Sequence, residues 1–337
     1  MGAKLTFTGK LMHIVARPRI HVSLADMGFA SLRSFGGIGF SIEQPLTVFQ
    51  FEPCSGVEIH GLEMLDKEGR VDMTQAIERM TNDRGELKFR AVLRAAPRQH
   101  VGFGSKTALS LALIAGVNAF KSIGWSVDQM QRLSGRGAAS GVGIHSFFTG
   151  GVIWDFGHRT EAEKQLLPSG STTGTRIPPL GARIPFPKAW RVMLVLPAER
   201  PMTGLEEIKF FVENAPVPRL EALSTMAALY HGVLPAFLLG DYSALASALA
   251  EVHRLGFKAR ELGNWSTMLR MAVMALSKGG FAAGLSSVGP LIYVILPDED
   301  PVAFDNVRAI CAGLTTQMIT VVRGWNSGYE VREGNWP

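Results

Sequence analysis

Gly102, Gly104, Ser105, Lys106 and Thr107 fall within six residues, and the chemistry such a run can do is anion binding. Glycine reaches backbone dihedrals closed to a residue that carries a Cβ. Ser105 can cap a following helix with its side-chain oxygen. A helix N-terminus presents unpaired N–H groups and the positive end of the macrodipole, which suits a phosphate. Lys106 and Thr107 then place an ammonium and a hydroxyl in the first turn. The stretch behind them, Ala108 to Ala115, is almost wholly apolar, as in a buried helix. An ordinary capped core helix would read the same way over these residues.

Other polar side chains recur in short groups. Alternation from Arg19 to Asp26 predicts a strand with Arg19, His21 and Ser23 on one face and Ile20, Val22 and Leu24 on the other. Such a polar face can offer donors to an anion, although the pattern alone favours a solvated surface strand. Asp26 then opens a turn with Gly28. The segment from Gly135 to Asp155 carries Arg136, Ser140, Gly141 and His145, with Asp155 and His158 at a strand end, where ligand groups often sit. Ser286, Ser287 and Gly289 belong to a later glycine loop that feeds an apolar strand. Taken singly, His145 and Asp155 are explained as well by a cap or a satisfied core group as by a ligand.

These groups need a scaffold, and 337 residues allow about two domains with a sizeable core. At 47% hydrophobic and 19% charged, the composition is that of a globular chain rather than a disordered one. No apolar run reaches the roughly 18 residues that a bilayer span takes, and Met1 to Lys10 lacks a signal-peptide core. The expectation is no membrane partner. Two cysteines, Cys54 and Cys311, argue against a disulfide framework and for a reducing cytoplasm. The net charge of +5 is scattered without aromatic interleaving, so a nucleic-acid partner is not expected and anionic small substrates are.

The expected elements follow from pattern and punctuation. Leu5 to Ile20 reads as one or two strands. Ser34 to Gly39 reads as a tight glycine turn before a strand over Phe40 to Phe51. Val71 to Met80 reads as a short helix with Asp72 as its cap, and Glu86 to Ala95 as a half-buried strand. Helices are expected over Val127 to Leu133 behind Ser126, and over Ser140 to Phe148, with a strand over Val152 to Asp155. Pro168 to Pro187 reads as a long loop or linker. Beyond it come a strand over Trp190 to Pro197 and helices over Thr203 to Glu213, Arg219 to Leu239, Tyr242 to Leu255 and Glu261 to Ser277. A helix over Pro301 to Leu314 and a strand over Gln317 to Arg323 close the pattern, before a polar tail from Gly324.

The strand near Arg19, the Gly-Phe-Gly-Ser loop at 102–105 and the Gly284-Leu-Ser-Ser-Val-Gly-Pro290 loop together resemble the GHMP kinase superfamily in order and spacing. This implies an α+β, two-domain GHMP-kinase-like fold with a ligand cleft between the domains, about 1–180 and 181–337. Two departures stand out. Lys106 occupies the place of a second hydroxyl residue. Ser140-Gly-Val-Gly143 lacks the aspartate that several of these kinases use as the base for the accepting hydroxyl. A narrower resemblance lies in Arg19-Ile-His21, Gly36-Gly-Ile-Gly39, Gly135-Arg-Gly-Ala-Ala-Ser-Gly-Val-Gly143 and Gly150-Gly-Val-Ile-Trp-Asp-Phe-Gly-His158. These are similar to the β-ribofuranosylaminobenzene 5′-phosphate synthase family of tetrahydromethanopterin biosynthesis. Ser34-Phe35 stands where that family has a more acidic pair.

That resemblance implies transfer of a phosphoribosyl group from 5-phosphoribosyl 1-diphosphate to 4-aminobenzoate or 4-hydroxybenzoate, with loss of diphosphate and carbon dioxide. It further implies Mg²⁺ with Asp26 and Ser105 as candidate ligands, no organic cofactor, and a homodimer. Arg19, His21, Lys106, Asp155 and His158 become the catalytic candidates. Gly102, Gly104, Ser105, Lys106, Thr107, Arg136, Ser140, Gly141, Ser286, Ser287 and Gly289 become the candidates for binding phosphate and substrate. The alternatives are an ATP-dependent small-molecule kinase without the usual base, and a non-catalytic ligand sensor on the same scaffold.

Overall fold

The computed structural model describes residues 11–160, 165–171 and 176–334. The first part of the strand expected from Leu5 lies outside them, as do 172–175 of the expected linker. The N-terminal half opens with β1 (Met12–Ala16), β2 (Arg19–Asp26), β3 (Arg33–Ser41), β4 (Thr47–Glu52) and β5 (Val57–His60). Next come α1 (Lys67–Arg84), β6 (Phe89–Ala95), α2 (Ser105–Phe120), α3 (Val127–Ser134) and α4 (Val142–Thr149). Strands β7 (Val152–Asp155), β8 (His158–Arg159) and β9 (Leu180–Ile184) complete this half.

The other half runs β10 (Trp190–Pro197), α5 (Leu205–Asn214), α6 (Arg219–Ala228), α7 (Leu234–Leu239) and α8 (Tyr242–Val252). It continues with α9 (Gly256–Gly263), α10 (Thr267–Lys278), β11 (Ala282–Leu285), β12 (Ile292–Pro297), α11 (Pro301–Cys311), β13 (Thr316–Arg323) and β14 (Glu330–Glu333).

Three sheets result. The first has the order β14-β1-β4-β6-β5, the second β2-β3-β7-β9 with β8 on β3, and the third β11-β12-β10-β13. Helix α2 is the hub of the first core. Eleven of its sixteen residues, Ser105 and Ala108–Val117 without a break among them, are buried against Phe49, Phe51, Phe89 and Met130, as expected for a helix apolar all round. The residues of β6 alternate as the sequence requires, with Phe89, Ala91 and Leu93 inward. A second core joins the second and third sheets through Ile20, Phe40, Phe186, Trp190 and Tyr293.

Several expectations change. The glycines at 36–39 lie inside β3 rather than in a turn before it. A Cβ on Gly39 would sit 2.4 Å from the Ile20 carbonyl and 2.6 Å from Val142, so glycine is selected here by the close approach of β2 and α4. The expected strand from Phe40 to Phe51 is therefore two strands, β3 and β4. Helix α1 starts at Lys67, earlier than Val71, because Asp66 rather than Asp72 caps it and accepts the Gly69 N–H at 2.7 Å. The expected helix over Glu261 to Ser277 breaks at Ser266, which caps α10 by accepting the Leu269 N–H. The Pro168 to Pro187 stretch contains β9, paired with β7. The polar tail ends in β14, paired antiparallel with β1.

The polar face of β2 is not solvated. His21 and Ser23 are buried, because β2 runs through the middle of the molecule rather than along its surface. Arg219–Leu239, which joins α6 and α7 through a wider turn, is long and apolar enough to cross a membrane by length and composition. It packs Leu229, Val233, Ala236 and Phe237 into the core it shares with the third sheet.

Candidate active site

Strand β2, the start of α2, the loop before α4 and the Ser286–Gly289 loop meet at one cleft. The glycine loop is fastened to β2 twice, by Arg19 N–H to the Phe103 carbonyl at 3.1 Å and by Arg19 Nη1–H to the Gly102 carbonyl at 2.8 Å. Gly104 has φ +68°, and a Cβ there would meet the Arg19 guanidinium carbon at 2.8 Å. The guanidinium thus lies on the bare glycine. Its Nε–H is buried with no hydrogen-bond partner among the described residues. Burial, reinforced by the Arg136 charge, lowers the Arg19 pKa to about 10, so it remains a cation at neutral pH.

Arg136 lies across the same cleft and donates from Nε to Thr107 Oγ1 at 3.4 Å. Burial also lowers its pKa, with the Asp72 and Glu207 charges opposing. Lys106 lines the cleft and pairs with Glu68 at 2.5 Å. His100 Nε2 lies 2.8 Å from Asp66 Oδ2, and the Lys106–Glu68 pair ties the start of α1 to the glycine loop. Two buried guanidiniums, an ammonium and the amino end of α2 face one space. Such a set, only partly offset by Glu68 and Glu207, suits an anion.

A second group runs inward from this space. His21 Nε2 is 3.3 Å from Ser140 Oγ, which donates to Asp155 Oδ2 at 2.8 Å. Asp155 Oδ1 accepts the Gly157 N–H at 2.8 Å, and the Val142 N–H donates to Ser140 Oγ at 3.1 Å. Burial raises the Asp155 pKa to about 6 against these hydrogen bonds, leaving a carboxylate at neutral pH. Burial first, then the charges of Arg19 and Lys258, hold the His21 pKa well below its ordinary value, so this imidazole is neutral. The third support is Lys258, fully buried. It donates to the Leu285 and Ser287 carbonyls at 3.1 and 3.2 Å and pairs with Glu261 at 2.5 Å. It fixes the Ser286–Gly289 loop beside β2, where Ser287 takes φ +57°.

The cleft brings together Arg19, His21, Gly102, Gly104, Ser105, Lys106, Thr107, Arg136, Ser140, Ser287 and Gly289. The remaining candidates stand behind its lining. Asp155 supports Ser140. Gly141 caps α4 and its N–H faces Asp155. Ser286 Oγ accepts the His21 N–H at 3.1 Å and donates to the Gly102 carbonyl at 2.7 Å. His158 Nε2 bonds the Gly137 carbonyl at 2.7 Å and His145 Nε2 the Pro178 carbonyl at 2.8 Å. Both histidines therefore brace loops.

Asp26 holds a turn and does not line the cleft. Its two carboxylate oxygens accept the N–H groups of Gly28, Ala30 and Ser31 at 2.9 to 3.0 Å. No three His, Cys, Asp or Glu side chains converge on one point among the described residues. A Mg²⁺ ion that rides on a phosphate substrate takes only one or two carboxylates. Glu207 is a carboxylate in the cleft that could serve. It lines the cleft, and burial raises its pKa to about 6 against the charges of Lys106 and Arg136. Ser105 supplies a hydroxyl at the helix start.

Comparison with known proteins fixes the family. The chain is 31% identical over 290 residues to the beta-ribofuranosylphenol 5′-phosphate synthase of Methanothermobacter thermautotrophicus, covering 84% of this chain and 88% of that protein. It is 30% identical to the protein of the same name from Archaeoglobus fulgidus, covering 82% and 85%. The chain belongs to the beta-ribofuranosylphenol 5′-phosphate synthase family. No protein-family model matches the sequence. Among solved structures, homoserine kinase from Cytophaga hutchinsonii superposes with a TM-score of 0.69 at 13% identity, over 98% of this chain and all of that one. Mevalonate diphosphate decarboxylase from Enterococcus faecalis gives 0.64 at 13%, over 96% and 99%. The fold is thus the α+β fold of the GHMP kinases, and the protein is an enzyme of the pentosyltransferase type.

Sequence reasoning missed His100, Glu207, Lys258 and Glu261 among the residues that build this family member's cleft. His100 sits between Arg98 and Gly102, and the loop it precedes was a sufficient signal. Lys258 and Glu261 are three apart on a helix, which reads as an ordinary exposed pair until burial is known. The apolar part of the cleft was equally hidden: Leu24, Ala139, Met202, Phe211 and Val288 come from five separate segments.

Proposed function

We propose that this protein transfers the 5-phosphoribosyl group of 5-phosphoribosyl 1-diphosphate to the carboxylate-bearing carbon of 4-aminobenzoate or 4-hydroxybenzoate. Diphosphate and carbon dioxide leave. The observation that carries the reading is the cleft's charge together with the glycine at 143. Arg19, Lys106 and Arg136 face the start of α2, while Gly143 lines the cleft in the place where related kinases use a carboxylate. A kinase must take a proton from its accepting hydroxyl, and this transfer need not.

The chemistry balances without a base. The ribose C1–O bond breaks with its electron pair going to diphosphate. Arg19, Lys106 and the α2 N–H groups receive that charge. The ring carbon then forms the C–C bond, its electron density supplied by the para amino or hydroxyl group. The carboxylate bond breaks, its pair restores the aromatic ring, and carbon dioxide departs. Leu24, Met202, Phe211 and Val288 offer the ring an apolar wall, and Arg136 matches a carboxylate or phosphate in two-point fashion. Mg²⁺ bound with the diphosphate would neutralise the leaving group, with Glu207 and Ser105 as the residues to hold it.

The test is the purified protein with Mg²⁺, 5-phosphoribosyl 1-diphosphate and carboxyl-labelled 4-aminobenzoate or 4-hydroxybenzoate, without ATP. Labelled carbon dioxide released in step with diphosphate is the expected result. Absence of release with both benzoates, together with ATP turnover against small alcohols, would transfer the assignment to a kinase. Ligand binding without turnover in either assay would leave a sensor.

A further inference from the structure

The chain of bonds from Asp155 through Ser140 to His21 has a direction. A carboxylate only accepts, so the Ser140 proton lies on the Asp155 side, at the 2.8 Å contact. Ser140 Oγ has two lone pairs left. The Val142 N–H takes one at 3.1 Å, and the other faces His21 Nε2 at 3.3 Å. Two acceptors cannot share that contact, and the Ser140 proton is already placed. His21 must therefore carry its own proton on Nε2. The same edge of the ring lies over Gly37, where a Cβ would come within 3.2 Å of Nε2, so a larger residue there would displace it. His21 Nδ1 has no partner in the protein among the described residues, and His21 lines the cleft.

We propose that Asp155 and Ser140 are positioning residues that lock His21 as its Nε2–H tautomer, so that Nδ1 offers a fixed lone pair to an N–H or O–H group of the substrate. The neutral imidazole then reads a donor and does not supply one. Two donors share that chemistry, the para amino or hydroxyl group of the benzoate and the ribose hydroxyls of the phosphoribosyl donor. The identity of the donor rests on the proposed transfer reaction. The tautomer does not.

The experiment uses the full chain with ¹⁵N-labelled histidine and long-range proton–nitrogen correlation spectra at pH 7.5. His21 is assigned by its loss in His21→Gln. The expected wild-type pattern is a protonated Nε2 and an unprotonated Nδ1. In Asp155→Asn, the Gly157 N–H holds the amide oxygen and turns the amide nitrogen toward Ser140. The Ser140 proton then turns to His21, and the pattern inverts to Nδ1–H. Ser140→Ala removes the link and should give a mixture of tautomers, which keeps the test alive if Asp155→Asn does not fold. An unprotonated Nε2 in the wild type, or the same tautomer in all three proteins, overturns the proposal.

Binding separates the two donors. Roughly a tenfold loss for 4-aminobenzoate but not for benzoate in Asp155→Asn would assign the para group to Nδ1. A similar loss for 5-phosphoribosyl 1-diphosphate alone would assign the ribose. Unchanged affinity for all of them, beside an inverted tautomer, would refute a role in substrate reading while leaving the transfer reaction intact.

Discussion

The two glycine–serine loops that meet beside β2 are similar in composition and opposite in what they do with their hydrogen bonds. The loop at 102–107 leaves donors open: Arg19 Nε–H has no partner, and the first turn of α2 has no side-chain cap. The loop at 286–289 closes its own account. Ser286 bonds both His21 and Gly102, Ser287 N–H reaches the His21 carbonyl, and Lys258 holds two carbonyls from behind. One loop is built to receive a charge and the other to hold the first in place. Glycine content does not distinguish them; the count of unmet donors does.

The contrast predicts that damage to the second loop appears in stability and damage to the first in turnover. The largest effect is expected from Lys258→Met, which strands Glu261 as an unpaired buried carboxylate. The loss should be about 3–5 kcal/mol in denaturant unfolding, partly recovered by adding Glu261→Gln. An unchanged midpoint would mean the loop holds itself. Arg19→Ala should lower kcat/KM for the phosphoribosyl donor by roughly a hundredfold to a thousandfold, as for the loss of a buried charged donor. Stability should change less than in Lys258→Met, and a fall below about tenfold would shift the anion to Arg136 and Lys106. Ser286→Ala should cost about 1–3 kcal/mol of stability by leaving the buried His21 N–H unmet and the Gly102 carbonyl with Arg19 as its side-chain donor, with the KM of either substrate nearly intact.

The smallest effect sharpens the electrostatics. Glu207 has its pKa raised to about 6, above the free value, so its proton favours the folded state at low pH and that contribution is lost as pH rises through about 6. Above that pH it is an anion in a cationic cleft. Glu207→Gln should tighten metal-free diphosphate binding by roughly threefold at pH 7.5 and leave it unchanged at pH 5, where the wild type is already neutral. With Mg²⁺ present the sign should reverse if Glu207 holds the ion. Titration calorimetry at the two pH values, with and without metal, reads all four cases. A pH-independent ratio would remove Glu207 from the cleft's charge balance.

Much of this site was legible because its chemistry is local. Gly102 to Thr107, Arg19, His21, Arg136 and Ser140 are each placed by a short motif whose neighbours in sequence are its neighbours in space. The misses have a common cause. Asp26 and His158 have the right side chains, but their fate depends on where a turn's amides and the Gly137 carbonyl arrive. Glycines 36–39 look like a turn, and only the proximity of β2 and α4 shows why no Cβ is tolerated within a strand. Lys258 is the clearest case. No local pattern says that a helical lysine points inward, and its partners, the carbonyls of Leu285 and Ser287, lie in another element.

The pairing of β14 with β1 bears on how the protein is made. Met12 to Val15 form the edge of the first sheet until Glu330 to Glu333 arrive. A chain emerging from the ribosome therefore carries this edge open, with unpaired amides, until β14 has been made. Arg17 waits as well: its ion pair is with Glu330 and its guanidinium stacks on Trp325. The glycine loop and α2 can pack early on β1, β4 and β6, but the sheet beneath them is closed only once β14 has emerged. Loss of Glu330–Glu333 would leave β1 as an open edge beside the core of α2, prone to pair with its own copies.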